Sequence, residues 1–242
     1  MRFGFFIDPI CSLEKDRISA DSHPAYLAAI AQTSGAEMIF AGMNSAKKIL
    51  SDKDIELMRG MVSADFALFV PFNSNQFDLI KRIKPQSVVI TGDNWENAHS
   101  PATIEISKDN DYLEVIINDL KSFDITTLLY VTPNVTLTKQ LVKLGTGGIV
   151  MDTTSYSMSK SDTSAEIEID LLSEASFAAN KLGLYVAAFG GLNYNNVKFV
   201  KQIKYLEEIY IGKAIAERAL ITGLSQAIKD IIAIINRGVA PS

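Results

Sequence analysis

YVAAFGGLNYNNV, Tyr185 to Val197, decides the fold. A β-rich apolar run ends on a glycine pair and passes through Asn193 into a helix-like run. The run is continuously apolar, not alternating, as in a parallel strand covered on both faces. Working outward, the same unit recurs. Strand candidates are Phe3–Asp8, Glu37–Gly42, Asp65–Val70, Ser87–Thr91, Thr126–Thr132, Gly148–Asp152, Leu184–Phe189 and Glu208–Ile211. Helical patterns separate them: AYLAAIAQTSG after Ser22-His23-Pro24, KDIELMRGM after Ser51-Asp52, and SNQFDLIKRIK, which stops at Pro85. Others cover Asp111–Ser122, Thr136–Leu144, Ala165–Leu182, Tyr194–Ile203 and Ala214–Asn236. Eight such units in 242 residues favour a closed (β/α)8 barrel with extra helices over an open doubly wound sheet. No linker or composition break divides the chain, so residues 1–242 read as one barrel domain. The polar insertion Gly92–Asp111 is expected to be an exposed loop over one end.

Composition narrows the function. Apolar residues make up 48% and the net charge is -5, which argues against a nucleic-acid or anionic-membrane partner. Cys11 is the single cysteine, so disulfide frameworks and thiolate metal clusters are excluded. Asp8 interrupts the apolar start MRFGFFIDPICSL, no apolar run is long enough for a membrane span, and a cytoplasmic setting is expected. There is no P-loop, dinucleotide fingerprint or zinc-ligand spacing. His23 and His99 read as solvated surface residues.

Barrels of this kind bind ligands at the C-terminal ends of their strands. That rule selects Asp8, Asn44, Asp93, Thr132, Asp152, Thr153, Gly190, Gly191, Gly212 and Lys213. FGGLN and YIGKA follow the seventh and eighth strands, the usual phosphate position. Glycines there let backbone N–H groups approach an anion, and Lys213 adds a positive charge where a helix dipole already favours a negative partner. Glycines at such junctions also serve simply as turn residues, and spacing alone leaves both readings open.

The stretches FAANKLGLYVAAFGGLNYNNVKFV and LEEIYIGKAIAERALITGLSQAI resemble the pyridoxine 5'-phosphate synthase family, the ring-closing enzymes of one vitamin B6 pathway. GFFIDPICSL, SGAEMIF…KKILSDKDIELMR and GGIVMDTTSYS are similar to its pattern in the same order. The resemblance implies an eight-stranded barrel with extra helices in a homo-oligomer, from dimer to octamer. It implies condensation of 1-deoxy-D-xylulose 5-phosphate with 3-amino-2-oxopropyl phosphate, without metal or organic cofactor.

That reaction needs general acid–base groups, which the family supplies as histidines and glutamates. This chain departs from the pattern at those positions. Asn-x-Asp-His on the first strand reads Phe6-Ile7-Asp8-Pro9, keeping only the aspartate. The glutamates expected on the third and sixth strands are Phe69 and Val150, and the histidine beside the second is Asp152. Gly-His-Gly has become Phe189-Gly190-Gly191, and the histidine opening the last helix is Lys213. Of the second substrate's basic residues, one is Glu14 and one Asn44, while Arg17, Lys47 and Lys48 match others.

The candidate sites are therefore Asp8, Asp152 and Lys213 for chemistry, and Gly190, Gly191, Gly212 and Lys213 for phosphate. Asn44, Lys47, Lys48 and Arg17 are candidates for a second substrate. Three readings stay open: the family's condensation, different chemistry on a phosphorylated metabolite, and a non-catalytic binding or assembly protein. In the second, Lys213 would form an imine, Asp152 or Asp8 would act as base, and Tyr130 and Tyr156 would donate protons. For both tyrosines a structural role competes with that one.

Overall fold

The computed structural model describes residues 1–13, 23–44, 48–97, 100–106 and 111–237. Eight parallel strands close into a barrel: β1 (Arg2–Phe6), β2 (Met38–Gly42), β3 (Asp65–Pro71), β4 (Ser87–Asn97), β6 (Thr126–Val131), β7 (Gly148–Asp152), β8 (Tyr185–Phe189) and β9 (Glu208–Ile211). β1 pairs with β9, Arg2 opposite Glu208, and this closes the ring. β5 (Ser100–Ala102) is an antiparallel addition to β4.

Helices between the strands start where the sequence supplies caps. Ser51 and Asp54 form a reciprocal capping box on α3 (Asp52–Met61), and Ser161 and Ser164 form one on α8 (Asp162–Lys181). Asn134 caps α6 (Val135–Lys143), and the His23 ring accepts the Ala25 N–H at the start of α2 (Pro24–Thr33). α4 (Phe77–Ile83), which has no side-chain cap, and α5 (Asp111–Ser122) lie between later strands.

Two buried clusters result. Ile, Leu, Val and Ala fill the layer between strands and helices. The barrel interior is aromatic instead: Phe6, Phe40, Phe69, Tyr130, Phe189 and Tyr210, with Ala67, Val150 and Ala187 between them. Gly4 makes room for this packing. A Cβ there would come within 2.8 Å of Tyr210 and 2.9 Å of Phe40, whose ring centroids lie 3.9 Å apart. At the N-terminal mouth, buried Glu208 accepts hydrogen bonds from Tyr185 (3.1 Å) and Tyr210 (3.0 Å), with Arg2 Nε at 4.0 Å.

Four sequence expectations change. β1 ends at Phe6, and Asp8-Pro9 begins the short α1 (Asp8–Cys11), where the proline suits the first turn. The first part of Gly92–Asp111 is a β-hairpin, because β4 continues to Asn97 and pairs with β5. Trp95 anchors it: the ring is buried and Nε1 donates to Thr91 Oγ1 at 2.8 Å. The Tyr194–Ile203 helix shrinks to α9 (Val197–Val200). Asn193 Oδ1 captures the N–H groups of Asn195 and Asn196, a side-chain turn that competes with helix. The C-terminal helix is broken into α10 (Lys213–Thr222) and α11 (Leu224–Asn236) by Gly223 at φ 77°, a conformation glycine adopts without steric cost.

Candidate functional site

The C-terminal mouth of the barrel opens into a cavity of about 580 Å³. Its floor is Phe6, Tyr130 and Phe189, the upper end of the aromatic cluster. Phe6 and Phe189 meet edge-to-face at 5.5 Å, and Phe69 lies directly beneath, 5.3 Å from Phe6 and 4.9 Å from Phe189. One wall carries Asp152, Gly190 and Gly191, another Pro9, Gly212 and Lys213, and the hairpin contributes Asn94 and Glu96.

The structure thus brings together five sequence candidates: Asp152, Gly190, Gly191, Gly212 and Lys213. At the glycines, the absence of a side chain is required. A Cβ on Gly191 would meet Ser157 Oγ at 2.0 Å, and one on Gly212 would meet the Phe6 carbonyl oxygen at 2.6 Å. Gly190 and Gly191 have φ of 125° and 65°, which side chains disfavour. Among the described residues, no backbone carbonyl outside the strand ladders accepts the N–H groups of Gly191, Leu192 and Gly212. Lys213 is exposed at the rim and opens α10 with no side-chain cap before it. An anion at this edge would meet backbone donors, a helix N-terminus and an ammonium group.

Asp152 is half-buried and tightly held. Its Oδ1 accepts hydrogen bonds from Tyr130 Oη (2.7 Å), Thr154 N (2.9 Å) and Thr154 Oγ1 (2.6 Å). Burial, and then the adjacent carboxylate, push the Tyr130 hydroxyl well above its ordinary pKa, so it stays a donor. Tyr156 is committed elsewhere: its hydroxyl donates to the Asn196 carbonyl at 2.9 Å.

Other candidates do not line the cavity. Asp8 is buried and its Oδ1 accepts the Gly42 N–H at 3.0 Å, tying α1 to the end of β2. Asn44 is also buried. Lys48 pairs with Asp52 at 2.6 Å on the surface. Asp93 holds Asn73 through its N–H (2.8 Å) and side-chain amide (2.5 Å). Arg17, Lys47, Glu14 and His99 lie outside the described residues. Sequence reasoning missed Thr154, Ser157 and the hairpin residues as cavity groups. The signal for Thr154 was its place two residues after an aspartate at a strand end, where a hydroxyl and an N–H readily turn back onto a carboxylate.

Comparison with solved structures shows the fold. Monomers of the dimeric phosphoribosylanthranilate isomerase of Thermotoga maritima superpose with a TM-score of 0.61 over 97% of this chain and 98% of that one, at 13% identity. Sequence relatives are closer. Pyridoxine 5'-phosphate synthase of Chloroherpeton thalassium is 29% identical over 232 residues, covering 96% of this chain and 98% of its own. The Prochlorococcus marinus (strain MIT 9211) and Chlorobium phaeobacteroides synthases are each 28% identical, over 94% and 98% of this chain and 93% and 99% of theirs. The family described as pyridoxal phosphate biosynthesis protein PdxJ matches residues 3–237. With nearly the whole barrel matched, the chain belongs to the PdxJ family of vitamin B6 biosynthesis and is a pyridoxine 5'-phosphate synthase-like protein.

Proposed function

We propose that this protein binds a phosphorylated small metabolite at the C-terminal mouth of its barrel and does not support the family's ordinary ring closure. The observation that carries the reading is the packing of Phe6, Phe69 and Phe189 against one another beneath the cavity. The resemblance places an asparagine and a glutamate at the first two of those positions. Aromatic carbon in their place supplies no proton carrier at those positions. Removing one acid–base group commonly costs a factor of about 10² to 10⁴. Pro9, Gly190 and Lys213, where the resemblance calls for histidines, all border the same cavity. The glycine N–H groups and Lys213 support phosphate as the retained ligand group.

The test mixes purified protein with 1-deoxy-D-xylulose 5-phosphate and 3-amino-2-oxopropyl phosphate. No pyridoxine 5'-phosphate above the protein-free blank is expected; sustained turnover would overturn the reading. A second reading, different chemistry on a phosphorylated metabolite, draws on Asp152 and Lys213 sharing one cavity. There Asp152 is the base and Lys213 the imine former. Borohydride trapping with carbonyl ligands would yield an adduct on Lys213, and its absence would remove that reading.

A further inference from the structure

Asp152 presents its two carboxylate oxygens to different surroundings. Oδ1 takes three hydrogen bonds, from the Tyr130 hydroxyl and from the Thr154 N–H and hydroxyl. Oδ2 takes none from any described residue, and the side chain lines the cavity. An ionised carboxylate has about four acceptor positions, so the unused capacity faces the ligand space. The arrangement also depends on Gly190, since a Cβ there would sit 2.5 Å from Oδ1 and 2.7 Å from Thr154 Oγ1. Three separate elements, β6, α7 (Thr154–Ser157) and the turn after β8, therefore fix one carboxylate in one orientation. Phe6, Phe189, Leu192 and Ile211 around it offer no polar side chain, and the hairpin's Glu96 is exposed.

We propose that Asp152 Oδ2 determines the specificity of this cavity, selecting phosphate esters that also carry a hydroxyl or ammonium donor. Tyr130, Thr154 and Gly190 act as positioning residues. The assignment rests on the phosphate reading above for the other end of the ligand. A site built to accept a hydrogen bond rejects an analogue that lacks the donor, because its own polar group is then left unpaired. A ligand with a donor should bind roughly ten- to a hundredfold tighter than its donorless counterpart, as for hydrogen bonds to charged groups.

The experiment is calorimetric titration with glycerol 3-phosphate, phosphoethanolamine, propyl phosphate and inorganic phosphate. At least one donor-bearing ester is expected to bind at least tenfold tighter than propyl phosphate; which one does so separates hydroxyl from ammonium recognition. In Asp152→Asn the amide oxygen takes the place of Oδ1 before the three donors and turns the amide NH₂ into the cavity. The ratio should then fall to about one, whatever happens to phosphate affinity itself. Tyr130→Phe and Thr154→Val free the carboxylate and should lower the affinity for the donor-bearing ester more than that for propyl phosphate, a pattern that mere loss of stability does not produce. A ratio near one in the unmodified protein, or a ratio that these variants leave unchanged, overturns the assignment. If glycerol or ethanolamine, added as phosphate-free controls, binds as tightly as its phosphate ester and does so through Asp152, the phosphate reading fails while the assignment of Asp152 stands. If nothing binds, both fail.

Discussion

Each end of the barrel holds one carboxylate with tyrosine donors, and the two are put to different use. At the N-terminal mouth, Glu208 is fully buried and receives the Tyr185 and Tyr210 hydroxyls beside Arg2. At the C-terminal mouth, Asp152 receives Tyr130 on one oxygen and leaves the other toward a cavity. Arg2 extends the first arrangement to Asp65, at 2.5 Å, so the lower end is a closed ionic staple between β1, β3 and β9. The same parts make a structural clamp where water is excluded and a recognition group where space is left. Between them lies the aromatic interior, whose Tyr210 lines the cavity and donates to Glu208.

The most damaging change should be Phe69→Glu, which reinstates the carboxylate that the resemblance calls for. It would bury a charge among Phe6, Phe40 and Phe189 with no partner. We expect a loss of at least ~3–5 kcal/mol in denaturant unfolding, comparable to or beyond Phe69→Ala, and no gain of synthase activity. Full stability in this variant would show that the interior is not the packed plug described above.

Glu208→Ala comes next. It strips the acceptor from two tyrosine hydroxyls at a buried site and should cost about 2–4 kcal/mol. Glu208→Gln keeps an acceptor and isolates the charge. Burial raises the Glu208 pKa above its ordinary 4.5, with Arg2 and the two tyrosines pulling the other way. The unfolded chain therefore loses this proton first as pH rises. Glu208's contribution is greatest below about pH 4.5 and declines from there up to its raised folded pKa. Unfolding curves between pH 4 and 8 should show the wild type losing ground against Glu208→Gln over that window; a difference independent of pH would contradict the buried-charge account.

At the other mouth the effects on stability should be smaller. Gly190→Ala meets both a positive φ and Asp152 Oδ1, for about 1–3 kcal/mol. Asp152→Asn retains the hydrogen bonds to Oδ1 and should stay within about 1 kcal/mol of wild type while altering ligand choice. If Asp152→Asn proved as costly as Glu208→Ala, the two carboxylates would have the same structural role and the contrast would dissolve.

The barrel was legible because its strands are continuous apolar runs of β-formers, and seven of the eight barrel strands both begin and end within two residues of the expected places. The eighth, β4, overran because Trp95 and Thr91 recruit a hairpin that polarity alone reads as loop. Gly223 split the last helix without weakening its apolar period, so only its backbone angle reveals the break. The cavity glycines and Lys213 were found by the rule for strand ends. Asp8 satisfied position but is bonded to Gly42, 34 residues on, which no sequence spacing displays, while Lys48 satisfied charge but is taken by Asp52 four residues on. The Tyr130–Asp152 bond joins residues 22 apart on neighbouring strands, so it emerges only from the register of β6 on β7.

We propose a phosphate-binding edge above an interior packed with aromatic rings. Thermal unfolding of the purified protein against rising concentrations of sugar phosphates and pyridoxine 5'-phosphate tests it most directly, since a ligand of the native state raises Tm with concentration. A saturable rise is expected for at least one of them, and Lys213→Ala and Gly191→Ala should abolish it. A flat Tm across the whole series, or a rise indifferent to both substitutions, would contradict it.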